Sequence, residues 1–211
     1  MTTMYRHMKR GFDLVGAIFM LGVFSPVMAV VALLIRIKLG SPILFKQQRP
    51  GMGERPFYIY KFRTMAEMYD AQGQPLSDAR RYIKFGGLIR KLSLDELPQL
   101  VNVVKGEMSL IGPRPLLIRY SPHYSERERL RFTVRPGITG LAQVSGRNTS
   151  EWKQRLSYDV TYVEKLSFRL DALILCKTVL KVIRQDDVVA NPGKHSLPLD
   201  EYRMNQKEGS A

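Results

Sequence analysis

The hydrophobic pattern divides the chain into one long apolar run followed by short alternating and helical segments. Leu14 to Ile35 holds 22 residues without a charge. As a straight helix it would reach about 33 Å, enough for a hydrocarbon core of about 30 Å. Two features oppose a simple crossing. Ser25-Pro26 lies at its middle, where a proline removes a backbone hydrogen bond and clashes with the preceding turn. Each half is then about 17 Å long, half of the core. Arg6, Lys9 and Arg10 precede the run, and Arg36 and Lys38 follow it. The positive-inside rule keeps both of those ends on the cytoplasmic side. The pattern predicts a helix-break-helix over residues 1–40 that enters one leaflet and returns, with Ser25 serving a carbonyl freed by the proline. A kinked spanning helix is the main rival. A cleaved signal peptide and a buried core helix fit less well, because the run is long and no small-x-small site ends it.

Residues 41–190 read as an α+β, mostly helical domain. Ile43 to Arg49, the turn Pro50-Gly51-Met52-Gly53 and the alternating Phe57 to Arg63 predict a small β-hairpin, with Lys61 and Arg63 on one strand face. A solvated strand face accounts for these two cations equally well. Ala66 to Asp78 is turn-rich loop. Gly86-Gly87 interrupts any long helix in the basic stretch Arg80 to Arg90. Leu97 to Lys105 has helical spacing, with Leu97, Leu100, Val101 and Val104 on one side and Gly106 as its stop. Ser125 to Arg131 reads as a short charged helix with an exposed face held by local ion pairs. Arg135 to Gly140 is a turn leading into a short strand at Leu141 to Val144.

Ser150 to Leu166 and Ser167 to Arg184 read as two helices. The second sets Leu170, Leu173, Ile174, Val179 or Leu180, and Ile183 against Lys177, Lys181 and Arg184. That amphipathic pattern suits either a helix lying on an anionic membrane surface or one packed on a core. Residues 191–211 are polar and predict a weakly ordered tail.

Composition narrows the partners. The 211 residues carry a formal charge of +14, so the partner is anionic: nucleic acid, anionic lipid or a phosphorylated substrate. Cys176 is the one cysteine, so no internal disulfide forms. His7, His123 and His195 lack zinc-ligand spacing. A nucleic-acid-binding protein would explain the charge but not the apolar run, and no recognition motif is present. A membrane-anchored basic scaffold without catalysis would explain the run but not the acidic pair Asp95-Glu96, set between Arg90-Lys91 and Arg114-Arg119.

That pair has two readings. Ser93-x-x-Glu96 matches a capping box, and Asp95 in a first turn would complement the helix dipole. Asp95 as the cap itself would place Pro98 at a tolerated third helical position. On the functional reading, the helix N-terminus and nearby Arg keep Asp95 ionised. An ionised carboxylate can attack phosphorus. The attack needs charge neutralisation, which Arg and a divalent metal supply. Mg²⁺ prefers oxygen ligands such as one or two carboxylates plus substrate phosphates.

The residues resemble the bacterial sugar transferase family, the small monotopic polyprenol-phosphate phosphoglycosyl transferases. The likeness runs from the apolar run with Ser25-Pro26 through Arg49-Pro50-Gly51 and Tyr60-Lys61-Phe62-Arg63-Thr64-Met65. It continues in Arg90-x-x-Ser93-Leu94-Asp95-Glu96-Leu97-Pro98-Gln99-Leu100, Asn102-Val103 and Gly106-x-Met108-Ser109-x-x-Gly112-Pro113-Arg114-Pro115. Arg135-Pro136-Gly137-Ile138-Thr139-Gly140-x-Ala142-Gln143-Val144, Gly146-Arg147-Asn148, Tyr158-Asp159-x-x-Tyr162-Val163 and Ser167-x-x-Leu170-Asp171 complete it.

The resemblance implies transfer of a sugar-1-phosphate from a UDP-sugar, N-acetylated in many small members, to polyprenol (undecaprenyl) phosphate. UMP is released and glycoconjugate assembly begins. Asp95 is then the nucleophile of a covalent phosphosugar intermediate, and Asp95 and Glu96 are the Mg²⁺ ligands. Arg90 and Arg114 are diphosphate-binding candidates, because Arg pairs bidentately with phosphate oxygens. Lys61 and Arg63 are candidates for nucleotide or polyprenol phosphate, and Gln143 and Asn148 for base or sugar. Asp159 is a candidate for orienting a basic partner, with a surface ion pair as the alternative. The implied location is the cytoplasmic face of the bacterial inner membrane. The implied partners are inner-membrane lipids and no nucleic acid, and a homodimer fits a surface-lying protein. Much larger relatives carry transmembrane helices before this core, and the chain resembles the minimal catalytic form.

Overall fold

The computed structural model describes residues 2–74, 76–145, 152–184 and 197–208. Its helices are α1 (Thr2–Leu39), α2 (Asp78–Arg81), α3 (Lys84–Lys91), α4 (Gln99–Lys105), α5 (Leu141–Ser145), α6 (Trp152–Glu164), α7 (Phe168–Arg184) and α8 (Leu199–Glu208). The strands are β1 (Leu44–Pro50), β2 (Pro56–Phe62), β3 (Ser109–Ile111) and β4 (Gly137–Thr139). β1 and β2 form the expected antiparallel hairpin, running from Leu44 opposite Phe62 to Pro50 opposite Pro56. β3 and β4 form a second, parallel pair, Ser109 with Gly137 and Ile111 with Thr139.

α1 runs as one helix through Pro26, so the break expected at Ser25-Pro26 is absent. The reason is local. Proline has no N–H for the carbonyl four residues back, here that of Gly22, and Ser25 Oγ donates to that carbonyl at 2.8 Å. α1 is long and apolar enough to cross a membrane. It packs on the body over its N-terminal half, where Tyr5 and Lys9 also meet Asp171, and again near its C-terminus, and is exposed between them. Ala17, Met20 and Leu21 join Phe57, Ile59, Leu100 and Val103, while Val31 and Ile35 join Phe62 and Ile89.

Both packing zones are reinforced by arginine. Arg10 donates to the carbonyls of Val103 (2.7 Å) and Val104 (3.1 Å) at the end of α4. Arg63 donates to the carbonyls of Leu39, Gly40 (2.8 Å) and Ser41 (3.0 Å) just past α1. Helix C-termini leave carbonyls unpaired and carry partial negative charge, which suits a guanidinium.

Several local expectations are corrected. α3 continues through Gly86 and Gly87. A side chain at Gly86 would lie 1.8 Å from the Thr64 carbonyl oxygen, so this glycine sets a close approach instead of ending a helix. In α4, Leu100 and Val103 are buried while Val101 is exposed, because the contacting face follows the 97–100–103–104 spacing. Gly106 ends α4 in the left-handed region, φ +85°. Leu141 to Val144 lies in α5, and the strand is β4 just before it.

The charged segment forms a 3-10 turn at Glu128–Thr133, and its ion pairs are distant in sequence. Arg129 meets Glu54, Arg127 meets Glu164 and Arg203 meets Glu128. The C-terminal segment is helical at α8, where Leu199 is fully buried with Tyr120 and Trp152. Trp152 Nε1 donates to the Leu197 carbonyl at 2.7 Å. On α7 only Asp171 and Ile174 are buried, whereas Phe168, Leu173, Val179, Leu180 and Ile183 are exposed.

Candidate active site

The chain leaves α3 at Leu92 and turns at Ser93, a non-glycine residue in the left-handed region at φ +54°. Such strain costs roughly 1–3 kcal/mol and persists where the surrounding fold enforces it. A single 3-10 turn, Leu94–Glu96, then carries both acids, and α4 starts only after Pro98. Neither capping arrangement forms. Ser93 makes no side-chain cap bond, and Glu96 reaches across to other elements. Lys61 Nζ and Arg114 Nη2 each donate to Glu96 Oε1 at 2.6 Å, and Arg114 Nη1 lies 3.5 Å from Oε2. Asp95 makes no hydrogen bond or ion pair among the described residues.

Three elements bring these groups together. Asn102 on α4 acts as a side-chain rung for β2. Its Nδ2 donates to the Tyr58 carbonyl at 2.7 Å, and its Oδ1 accepts the Tyr60 N–H at 3.1 Å. That grip registers Lys61 opposite Glu96. The close approach at Gly86 lets Arg90 Nε donate to Thr64 Oγ1 at 2.8 Å, and the Arg90 charge acts on Asp95.

Arg114 is presented by the loop after β3. Its carbonyl accepts Arg131 Nη2 at 2.5 Å, and the same nitrogen pairs with Asp159 at 3.1 Å. Arg131 Nη1 also donates to Tyr124 Oη at 3.0 Å. Asp159 therefore does hold a basic partner, and the pair is buried, not on the surface. The sequence singles out none of Arg131, Asn102, Thr64 and Tyr124 as a site residue. Arg131 sits in a charged run without periodicity. Asp159 left a clearer signal, since it shares the apolar helix face of Leu156, Val160 and Val163.

Arg63, expected beside Lys61, is buried under the end of α1. Its donors serve three carbonyls and Glu67, the latter at 3.0 Å. The strand ends between Lys61 and Arg63, so the shared face is lost. Gln143 Nε2 donates to the Ile138 carbonyl at 3.0 Å, and the Gln143 backbone carbonyl accepts Lys181 Nζ at 3.1 Å. Asn148 lies outside the described residues.

Burial pushes the Asp95 carboxyl up from its ordinary value. The Glu96 charge adds to this, against Lys61, Arg114 and Arg90. The expected simple lowering by a helix end and Arg does not describe it. For Glu96 burial also acts upward, but Arg114 and Lys61 outweigh it and hold the carboxyl well below the usual range. Among the described residues the site thus keeps one carboxylate neutralised by cations and the other without a hydrogen-bond or ion-pair partner. Two carboxylates suit Mg²⁺, which completes its shell with water and phosphate. Among the described residues no group of three or more His, Cys, Asp and Glu offers an all-protein cage.

Burial, opposed by Arg131 and Arg155, pushes the Asp159 carboxyl up to about 6 from 3.8. The folded protein then holds this proton more tightly than the unfolded chain does. The cost of the charged form is present above about pH 6 and relieved as pH falls toward about 4, so this group makes stability rise on acidification across that window. Asp159→Asn is expected to flatten that part of a melting-temperature profile. A profile of unchanged slope would contradict the assignment.

A family model described as bacterial sugar transferase matches residues 4–185. The chain is 51% identical over 181 residues to the uncharacterized sugar transferase EpsL of Bacillus subtilis, covering 86% of this chain and 90% of that protein. It is 39% identical to a UDP-glucose:undecaprenyl-phosphate glucose-1-phosphate transferase of Caulobacter vibrioides, covering 85% and 71%. It is 38% identical to a UDP-N-acetylgalactosamine-undecaprenyl-phosphate N-acetylgalactosaminephosphotransferase of Aeromonas hydrophila, covering 85% of this chain and 44% of that protein.

Proposed function

The chain belongs to the bacterial sugar transferase family, and from that premise we propose that it transfers a sugar-1-phosphate from a UDP-sugar to undecaprenyl phosphate. The observation that carries this reading is the division of labour in the acidic pair. Glu96 is locked to Lys61 and Arg114, and Asp95 is left free beside them. In the first step an Asp95 oxygen attacks the sugar-bearing phosphorus. The bond from that phosphorus to the bridging oxygen breaks, and UMP leaves with the electron pair. In the second step a phosphate oxygen of the polyprenol attacks the same phosphorus, the bond to Asp95 breaks, and the carboxylate is regenerated. Arg114 and Lys61 stabilise charge on the transferred phosphate oxygens, and the Arg90 charge also acts on Asp95. Asp95 and Glu96 Oε2 would hold Mg²⁺, which supplies further charge neutralisation.

The same premise supports a monotopic seat on the cytoplasmic face of the inner membrane. As a straight helix α1 would span roughly 44 Å between Arg10 and Leu39. The same body grips both places, and a body on one side of a 30 Å core (roughly) cannot hold both ends of a crossing. The exposed apolar residues of α7 extend the lipid-facing surface of α1. Cysteines introduced at Thr3 and Ser41, with Cys176 replaced by Ser, are expected to be shielded alike from an impermeant reagent in whole spheroplasts. Labelling of only one would restore a crossing helix.

The test of the reaction is Mg²⁺-dependent UMP release from a panel of UDP-sugars with undecaprenyl phosphate and the full chain in detergent. We take N-acetylated donors as the first to try, with UDP-glucose and UDP-galactose beside them. One active donor is expected. A folded protein silent across the panel, with no phosphosugar trapped on Asp95, would refute the reading.

A further inference from the structure

The helix α8 lies beyond residues 4–185, the extent of the family match. Its 10 residues are too few for a stable isolated helix in water, so its order comes from docking. Leu199 is fully buried in one cluster with Trp152, Tyr120, Tyr124 and Phe132. Trp152 Nε1 holds the Leu197 carbonyl at 2.7 Å, just before the helix. Two ion pairs flank the apolar contact, Arg119 with Asp200 at 3.4 Å and Arg203 with Glu128 at 2.5 Å.

Two routes run from this dock toward the acidic pair. The apolar route passes through the rings. Tyr120 packs edge-on to Trp152, and Tyr124 edge-on to Phe132, each pair 5.5 Å between centroids. The Arg131 guanidinium lies 5.2 Å from the Tyr124 centroid and 5.7 Å from that of Phe132. The polar route passes through Glu128. One of its oxygens takes Arg203, and the other accepts the Ser125 N–H at 2.8 Å, next to Tyr124.

Both routes meet at Arg131. It donates to Tyr124 Oη at 3.0 Å and to the Arg114 carbonyl at 2.5 Å, and Arg114 holds Glu96. The Pro113 carbonyl, one residue earlier, accepts the Gly137 N–H at 3.0 Å. The loop is thus pinned from behind at successive carbonyls. A close-packed interior passes displacement on because it has few voids to absorb it.

We infer that α8 is a positioning element: docked through Leu199 and Arg203, it fixes Tyr124 and Arg131, and through them the loop that presents Arg114 to Glu96. The placement of the loop stands on these contacts, and its effect on rate rests on the reaction proposed above.

Hydrogen exchange on the full chain in detergent reads the coupling without substrate. Leu199→Ala is expected to speed exchange of the Gly137 amide about tenfold, with amides of the β1–β2 hairpin unchanged. Arg203→Gln leaves the apolar contact in place and should act in the same direction, by about threefold. Leu199→Met, close in volume, should keep the protection. In UMP release, Leu199→Ala should lower kcat about tenfold, but less than about twofold in an Arg114→Gln background, where no guanidinium remains to be placed. Faster exchange confined to residues 197–208 would overturn the inference. So would an equal rise across the hairpin, which marks general destabilisation, or an equal rate loss in the Arg114→Gln background. Exchange at Gly137 that follows α8, in a protein that releases no UMP from any donor, would instead keep the positioning role and refute the proposed reaction.

Discussion

Asp95→Asn is expected to lower UMP release by about 10⁴-fold or more while leaving the protein folded and membrane-bound. The amide is nearly isosteric with the carboxyl but lacks the anionic oxygen that would bond to phosphorus. Among the described residues Asp95 has no hydrogen bond or ion pair to lose, so the substitution breaks no such contact. Removing a buried carboxyl whose ionisation is opposed by burial and by Glu96 should leave the melting temperature equal or higher. This combination separates a nucleophile from a structural acid, since a helix-capping residue would lose stability and keep its rate. Steady-state UMP release and a thermal melt on the same preparation decide it. Substantial turnover in Asp95→Asn would remove the nucleophile.

Glu96→Gln is expected to act differently. It leaves Lys61 and Arg114 without the carboxylate they share at 2.6 Å each. Breaking one partner out of a buried ion pair costs about 3–5 kcal/mol. Glu96 remains about one-fifth exposed, so solvent screening should bring the loss toward the lower figure. Turnover should fall by roughly 10²–10³-fold, the usual scale for one electrostatic element of a site. The pH profile carries a second signature. The Glu96 charge is one of the causes that raise the Asp95 carboxyl, so neutralising it makes Asp95 easier to ionise. The acid limb of the rate profile should move to lower pH. A rate loss without a shift of that limb would separate Glu96 from Asp95.

The parts of this molecule legible in the sequence are those governed by local rules. The hairpin follows from an alternating strand on either side of Pro50-Gly51, and the stop of α4 follows from Gly106. The two helices after residue 150 follow from their periodicity. The acidic pair stood out because carboxylates flanked by arginines need an explanation. What remained hidden depends on partners distant in the chain. Arg63 looked like Lys61 until the end of α1 supplied carbonyls for it. Arg131 was one of three arginines in a charged run, and only the buried Asp159 and the Arg114 carbonyl distinguish it. Gly86 and Gly87 looked like helix breakers because the approach of the Thr64 carbonyl has no local mark. Leu199 and its helix were hidden for the same reason: a polar segment with a few apolar residues becomes ordered only through the surface that receives them.

The strand that delivers Lys61 to Glu96 continues, two residues on, into the arginine that caps the end of α1. About 7 Å of extended backbone separates Lys61 from the arginine that holds the end of α1. No loop intervenes to absorb movement between them. On the proposed reading the protein works as a gauge: the depth at which the apolar helix settles in lipid would set the height at which Asp95 meets a phosphate on the end of a hydrocarbon tail.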